Sequence, residues 1–147
     1  MNEMTMRFLS RLENESFART SIVAFLMPLN PSVEEVMEIK TMVAEALTNA
    51  MIHGYEGKGD GWIDVSVSYD ETHTIDITIQ DQGCGIENIA LAMQPLYTTK
   101  QHLERSGMGM TIMSSFADDF HVESSLGNGC IVRLRKQLHE QTENALQ

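Results

Sequence analysis

Between Ser32 and about Ile52, apolar residues Val36, Ile39, Val43, Leu47 and Ala50 recur at spacings of three and four. That recurrence is one face of a long helix. Ser32 with Glu35 three residues later predicts a capping box at its start, each side chain satisfying an orphan backbone donor. Gly54 is placed to end the helix in a left-handed conformation. So long a helix in a chain of 147 residues needs a broad apolar surface to lie on.

The rest of the sequence supplies one. Met4, Met6 and Phe8 alternate with Thr5 and Arg7, the period of a half-buried strand. A helix is expected from near Asn14, with Ala18, Ile22, Phe25, Leu26 and Leu29 as its apolar stripe, broken by Pro28 and Pro31. Gly57, Gly59 and Gly61 make a loop of the stretch after Gly54. Ile63, Val65, Val67 and Tyr69 form one strand, Ile75, Ile77 and Ile79 the next, with a tight turn at Asp70-Glu71. A short helix is read near Asn88 to Met93, then a mobile polar stretch to Ser106. A helix from about Met108 to Phe116 follows, then strands near Phe120 to Ser124 and Cys130 to Lys136. The expected fold is α+β: a single sandwich of a mixed, mainly antiparallel sheet with helices packed on one face. One domain spans residues 1–136, and a polar tail covers 137–147.

Ten basic residues against 21 acidic, a formal charge of -11, argue against direct contact with nucleic acid or anionic lipid, whose phosphates would repel such a surface. Two cysteines are no disulfide framework. The longest apolar run, Ile22 to Met27, stops at Pro28, too short to span a bilayer. No basic and apolar leader follows Met1, so the cytoplasm is the expected location.

Chemistry concentrates at three motifs. On the long helix, Glu45, Asn49 and His53 are four residues apart and share one line along the surface. Asn49 offers a neutral oxygen to Mg²⁺, which takes few protein ligands where phosphates supply the rest. Glu45, one turn away, is placed to accept a proton from an attacking hydroxyl. His53 reads as structural. Asp81 follows directly on a strand, able to accept a hydrogen bond from an exocyclic amine such as that of adenine, and Gly83 and Gly85 allow close backbone approach. Gly107 and Gly109 precede a helix whose N-terminal amides favour phosphate. Each motif alone is a common turn or helix surface. Together they hold the parts for binding MgATP beside a base.

In this order, Glu-x-x-x-Asn, Asp-x-Gly-x-Gly and Gly-x-Gly resemble the nucleotide-binding fold shared by gyrase B, Hsp90, histidine kinases and MutL. Residues 13–19 (Glu-Asn-Glu-Ser-Phe-Ala-Arg), the helix around Glu45, and the stretches 94–100 (Gln-Pro-Leu-Tyr-Thr-Thr-Lys) and 103–109 are more specifically similar to the anti-sigma F factors of spore-forming bacteria. The resemblance reaches from Asn2 to about Lys136. It implies a serine kinase with Glu45 as general base, Asn49 as magnesium ligand, Asp81 as adenine contact, and Gly83, Gly85, Gly107 and Gly109 shaping the pocket. It also implies an ATP lid over about Ile86 to Ser106, with Thr98, Thr99, Lys100 and Ser106 near the phosphates, and a partner surface at Glu15 and Arg19. As a homodimer such a protein would inhibit a sporulation sigma factor and phosphorylate an anti-anti-sigma protein, with ATP or ADP in the pocket. Two neighbouring readings share the motifs: a stress-response anti-sigma kinase with another sigma partner, and a nucleotide-gated binding module without catalysis. A histidine kinase would also need a phosphoacceptor helix pair, which these residues do not provide. One position departs from the family pattern. The threonine usual after Gly129 is here Cys130, a weaker hydrogen-bonding group.

Overall fold

In the computed structural model, which describes residues 1–83, 109–124, 127 and 129–139, the chain runs β1 (Asn2–Leu9), α1 (Glu13–Leu26), α2 (Val33–Asn49), β2 (Trp62–Tyr69), β3 (Thr74–Asp81), α3 (Gly109–Phe116), β4 (Asp119–Ser124) and β5 (Cys130–Gln137). A 3₁₀ turn, Met27–Leu29, follows α1, and a π-helical turn, Ala50–Gly54, continues α2. The strands pair in the order β1-β2-β3-β5-β4. All four pairings are antiparallel, so among the described residues the sheet expected to be mixed has no parallel pair.

Alternation decides which face of the sheet is covered. Ile63, Val65, Val67, Ile75, Ile77, Ile79, Val132 and Leu134 are buried, while their neighbours Ser66, Arg133 and Arg135 stand in solvent. Against this face lie Ala18, Ile22 and Leu26 of α1, Ile39, Met42, Val43, Ala46 and Leu47 of α2, and Met110 and Met113 of α3, joined in one core. Burying each such large apolar side chain contributes about 1.5–3 kcal/mol, which is why the helices occupy one face. On the open face Arg7 pairs with Asp64 at 3.3 Å and Arg135 with Asp76 at 2.8 Å, exposed cross-strand pairs of small stabilising effect.

The capping box forms as its sequence predicts. Ser32 Oγ accepts from the Glu35 N–H at 3.1 Å, and Glu35 Oε1 accepts from the Ser32 N–H at 2.9 Å. The far end of the helix differs from expectation. Before ending at Gly54, α2 widens into the π-helical turn, and positive φ falls beyond it at Glu56 (56°) and Gly57 (74°). The turn places the Tyr55 N–H on the Ala50 carbonyl and the Gly57 N–H on that of Met51, so two carbonyls of the helix end are satisfied by the backbone that follows. The β2–β3 hairpin turns over Asp70 to His73. Asp70 Oδ1 accepts from the Thr72 and Thr74 N–H groups, and His73 takes a φ of 63°.

Two anchors orient α2 on the sheet. At its start, Glu35 Oε2 accepts from the His139 N–H at 2.9 Å, just past β5, and the Leu138 N–H donates to His73 O at 2.9 Å beside the start of β3. Packing therefore continues through Leu138, which is 2% exposed, beyond the last strand residue. Near its other end, the π-helical turn lies against β3, and Tyr55 just after it bonds the Gln82 N–H past the end of that strand. Hence α2 and β3 run in the same direction, and the last turns of the helix stand beside Asp81.

Candidate functional site

Asp81 closes β3 on the covered face, paired with Cys130 across the strand, and is 5% exposed. Its carboxylate accepts the Gly83 N–H at 2.8 Å, and the Cys130 N–H also bonds it. Burial outweighs both donors and raises the pKa from 3.8 to about 6. A carboxylate held in its charged form at this cost, at the mouth of the sheet, is suited to meet a donor from a ligand.

The approach of β5 to this group requires a glycine. Gly129 has a φ of 83°, and a side chain there would overlap the Asp81 carbonyl and come within 2.9 Å of Gln82 Cα. Cys130 itself is 9% exposed, with burial and the neighbouring Asp81 charge pushing its thiol up to about 12. The thiol therefore stays protonated and unreactive at neutral pH. A cavity of about 260 Å³ at this end is lined by Asp81, Ser124, Gly129 and Cys130 among others.

Glu45 and Asn49 are partly exposed and one turn apart on α2. The orientation of α2 brings them to the Asp81 end. Gly109 opens α3, which packs against α2, and its buried Met110 and Met113 fill the core. The direction of α3 follows from its other end. Lys136 Nζ donates to Phe116 O at 2.9 Å and pairs with Glu38 Oε1 at 3.5 Å, in the first half of α2. The helices are thus antiparallel, and the N-terminus of α3 points toward Glu45 and Asn49. Described residues of three motifs far apart in the chain, Glu45 with Asn49, Asp81 with Gly83, and Gly109, thus share one end of the sandwich.

Among the described residues no three His, Cys, Asp or Glu side chains cluster in a way that would hold a metal. A single amide oxygen at Asn49 fits a Mg²⁺ whose remaining ligands are phosphates and waters. The buried Asp81 acceptor, with backbone close on either side, fits the amine edge of a purine.

Gly85, Thr98, Thr99, Lys100, Ser106 and Gly107 lie outside the described residues, as does the expected helix near Asn88 to Met93. Glu15 and Arg19 lie on α1 as an i,i+4 ion pair of 3.4 Å, with Phe17 exposed between them in sequence. Sequence reasoning missed Tyr55. Its hydroxyl accepts from the Gln82 N–H at 2.6 Å and donates to Trp62 O at 2.7 Å, bonding directly to the backbone after Asp81. Partners 27 and seven residues away leave no local sequence signal.

The comparisons agree with this architecture. The family model for the histidine kinase-like ATPase domain matches residues 8–136. The anti-sigma F factor of Priestia megaterium is 48% identical over 137 residues, 93% of this chain and 93% of that protein. That of Bacillus licheniformis is 50% identical over the same length and shares. In the crystal structure of the RsbU and RsbW domains of a Mycobacterium tuberculosis protein, the match covers 94% of this chain and 33% of that one, with a TM-score of 0.68 at 12% identity, a likeness of fold. No helix among the described residues is long and apolar enough to cross a membrane. Matched along most of its length by the ATPase-domain model, and about half identical to two such factors over 93% of each chain, the chain belongs to the histidine kinase-like ATPase domain family and, within it, to the anti-sigma F factors.

Proposed function

We propose that this protein is a nucleotide-controlled inhibitor of a sporulation sigma factor and a serine kinase acting on an anti-anti-sigma protein. The observation that carries the reading is the juxtaposition at one end of the sandwich: a buried Asp81 carboxylate, the Glu45–Asn49 turn of α2, and the N-terminus of α3. Names of relatives 48–50% identical over 93% of the chain support the sigma-factor part.

In this reading Asp81 accepts the adenine amine, and Gly83 and Gly85 admit the base edge. Asn49 holds the magnesium ion of MgATP, which neutralises phosphate charge when bound. Gly107 and Gly109 present the α3 N-terminus to the phosphates, with Thr98, Thr99, Lys100 and Ser106 contributing from the lid. Glu45 takes the proton of the incoming serine hydroxyl as its oxygen attacks the γ-phosphorus and ADP departs. The same pocket holds ATP or ADP, and differential affinity for the two partners is what would let the nucleotide select between them. Glu15 and Arg19 belong to the partner surface, and the protein acts as a homodimer in the cytoplasm.

The test is to incubate the protein with γ-labelled MgATP and a lysate of its source cell, identify the labelled protein, and identify what is retained with ATP and with ADP. One small protein labelled on serine, with a sigma factor retained, is the expected result. Retention without labelling would favour a binding module, and label on histidine would overturn the serine assignment. Retention of a different sigma factor would favour the stress-response reading. Arg19→Glu should reduce partner retention while leaving ATP affinity unchanged.

A further inference from the structure

A buried carboxylate selects a base only if the backbone carrying it is held still. Asp81 ends β3, and the chain leaves the sheet at Gln82. There the Gln82 N–H donates to the Tyr55 hydroxyl at 2.6 Å, and the hydroxyl donates onward to the Trp62 carbonyl at 2.7 Å. The two bonds join the end of β3, the start of β2 and the residue following the π-helical turn of α2. The ring has a built seat: a side chain at Gly61 would overlap its Cδ1, Cε1 and Cζ atoms. Gly61 is itself fixed by Ser10, which is 2% exposed, through the Ser10 N–H on Gly61 O at 2.8 Å and the Gly61 N–H on Ser10 Oγ at 3.2 Å.

We propose that Tyr55 is a positioning residue for base selection: its hydroxyl fixes the backbone after Asp81, so that the carboxylate meets an adenine amine in one orientation. This rests on the adenine reading of Asp81. Only a neutral phenol can accept from Gln82 and donate to Trp62 at once. A phenol is already neutral at neutral pH, and burial, reinforced by the Asp81 and Asp64 charges, raises its pKa further against the opposing pull of the Gln82 bond. Gln82 is exposed, so water can replace the lost partner in a variant, and the fold should tolerate a loss that precise recognition does not.

The test uses the full chain, calorimetry, and two nucleotides: MgATP and the Mg²⁺ complex of purine riboside triphosphate, which lacks the 6-amino group. Tyr55→Phe should weaken ATP by about three- to tenfold, the reach of one hydrogen bond, leave the amine-free nucleotide unchanged, and melt close to the parent. Gly61→Ala, which displaces the ring without altering its chemistry, should reproduce the pattern. Equal weakening of both nucleotides, or of neither, overturns the positioning role. Asp81→Asn in the same assay separates the two ideas. If Asp81→Asn loses the preference for ATP while Tyr55→Phe keeps it, the positioning role alone fails. If Asp81→Asn keeps that preference, the adenine reading fails and the positioning role with it.

Discussion

The two ends of the sandwich treat buried charge in opposite ways. At the end where α2 begins, Glu35 accepts from the backbone of both Ser32 and His139, and Lys136 caps the last carbonyl of α3 while pairing with Glu38. Burial works against the Glu35 charge, but these bonds, with the Ser32 hydroxyl, outweigh it and hold its pKa below the ordinary value. At the end where α2 stops, Asp81 has two backbone donors, and burial still wins, lifting it to about 6. The first end is complete within the chain and serves stability. The second keeps an acceptor whose charge burial disfavours, an imbalance that fits the ligand site proposed there.

That contrast can be broken by substitution. The largest effect is expected at Glu45: Glu45→Ala should lower phosphotransfer on the order of 10²-fold or more while MgATP binding, read by calorimetry, is retained. Parental phosphotransfer would remove the base and leave a binding module. Asn49→Ala should instead impair magnesium-dependent nucleotide binding as well. Asp81→Asn should weaken ATP by roughly 1–3 kcal/mol through a mispaired buried polar group, with little change in melting. An unchanged ATP affinity would undo the assignment of that end as the site.

At the other end the expected pattern reverses. Lys136→Ala leaves the Phe116 carbonyl and Glu38 without their cation and should cost roughly 1–3 kcal/mol in denaturant unfolding, with ATP affinity preserved in whatever fraction is folded. Ser32→Ala opens the capping box and should cost about 1 kcal/mol. If either change altered nucleotide binding more than stability, the division between the ends would be false.

The smallest effect is a separation in pH. Asp81, raised to about 6, imposes its ionisation cost above that value, and the cost is relieved as pH falls toward 3.8. Glu35, lowered from 4.5, contributes stability that is present above 4.5 and lost as pH falls through its folded value. Lowering pH from 7 to 5 should therefore weaken ATP binding, by at most about tenfold per unit, before these groups destabilise the fold. Near pH 6, ATP binding to the Asp81 carboxylate should release protons, detected by calorimetry in buffers of different ionisation enthalpy. Asp81→Asn should abolish that release. Melting that falls together with binding between pH 7 and 5 would contradict the separation.

Much of this was legible in the sequence because it depends on local spacing. A 3.6-residue period writes the buried stripe of α2, a two-residue period writes the covered face of the sheet, and Ser32-x-x-Glu35 writes its own hydrogen bonds. The family followed from the order of the motifs at Glu45, Asp81 and Gly107. What the sequence left open depended on contacts across long separations. The absence of a parallel pair among the described strands follows from which edges meet, and the widening of α2 into a π-helical turn over Ala50–Gly54 from backbone bonds that no residue preference announces. The docking of Leu138 and His139 depends on His73 and Glu35, far back in the chain.

The site divides the same way. Its residue types and their order were set by the sequence, because a carboxylate, an amide and glycines have chemistry wherever they stand. Their meeting at one end was decided by the tertiary structure, through the Glu35 to His139 and Lys136 to Phe116 bonds that fix the directions of α2 and α3. So was the part played by Tyr55, whose hydroxyl joins Trp62 to Gln82 only once β2 and β3 have paired. Local patterns determine elements because their energies are summed over neighbours in sequence. Orientation and positioning depend on a few bonds between distant residues, and those exist only after the chain has folded.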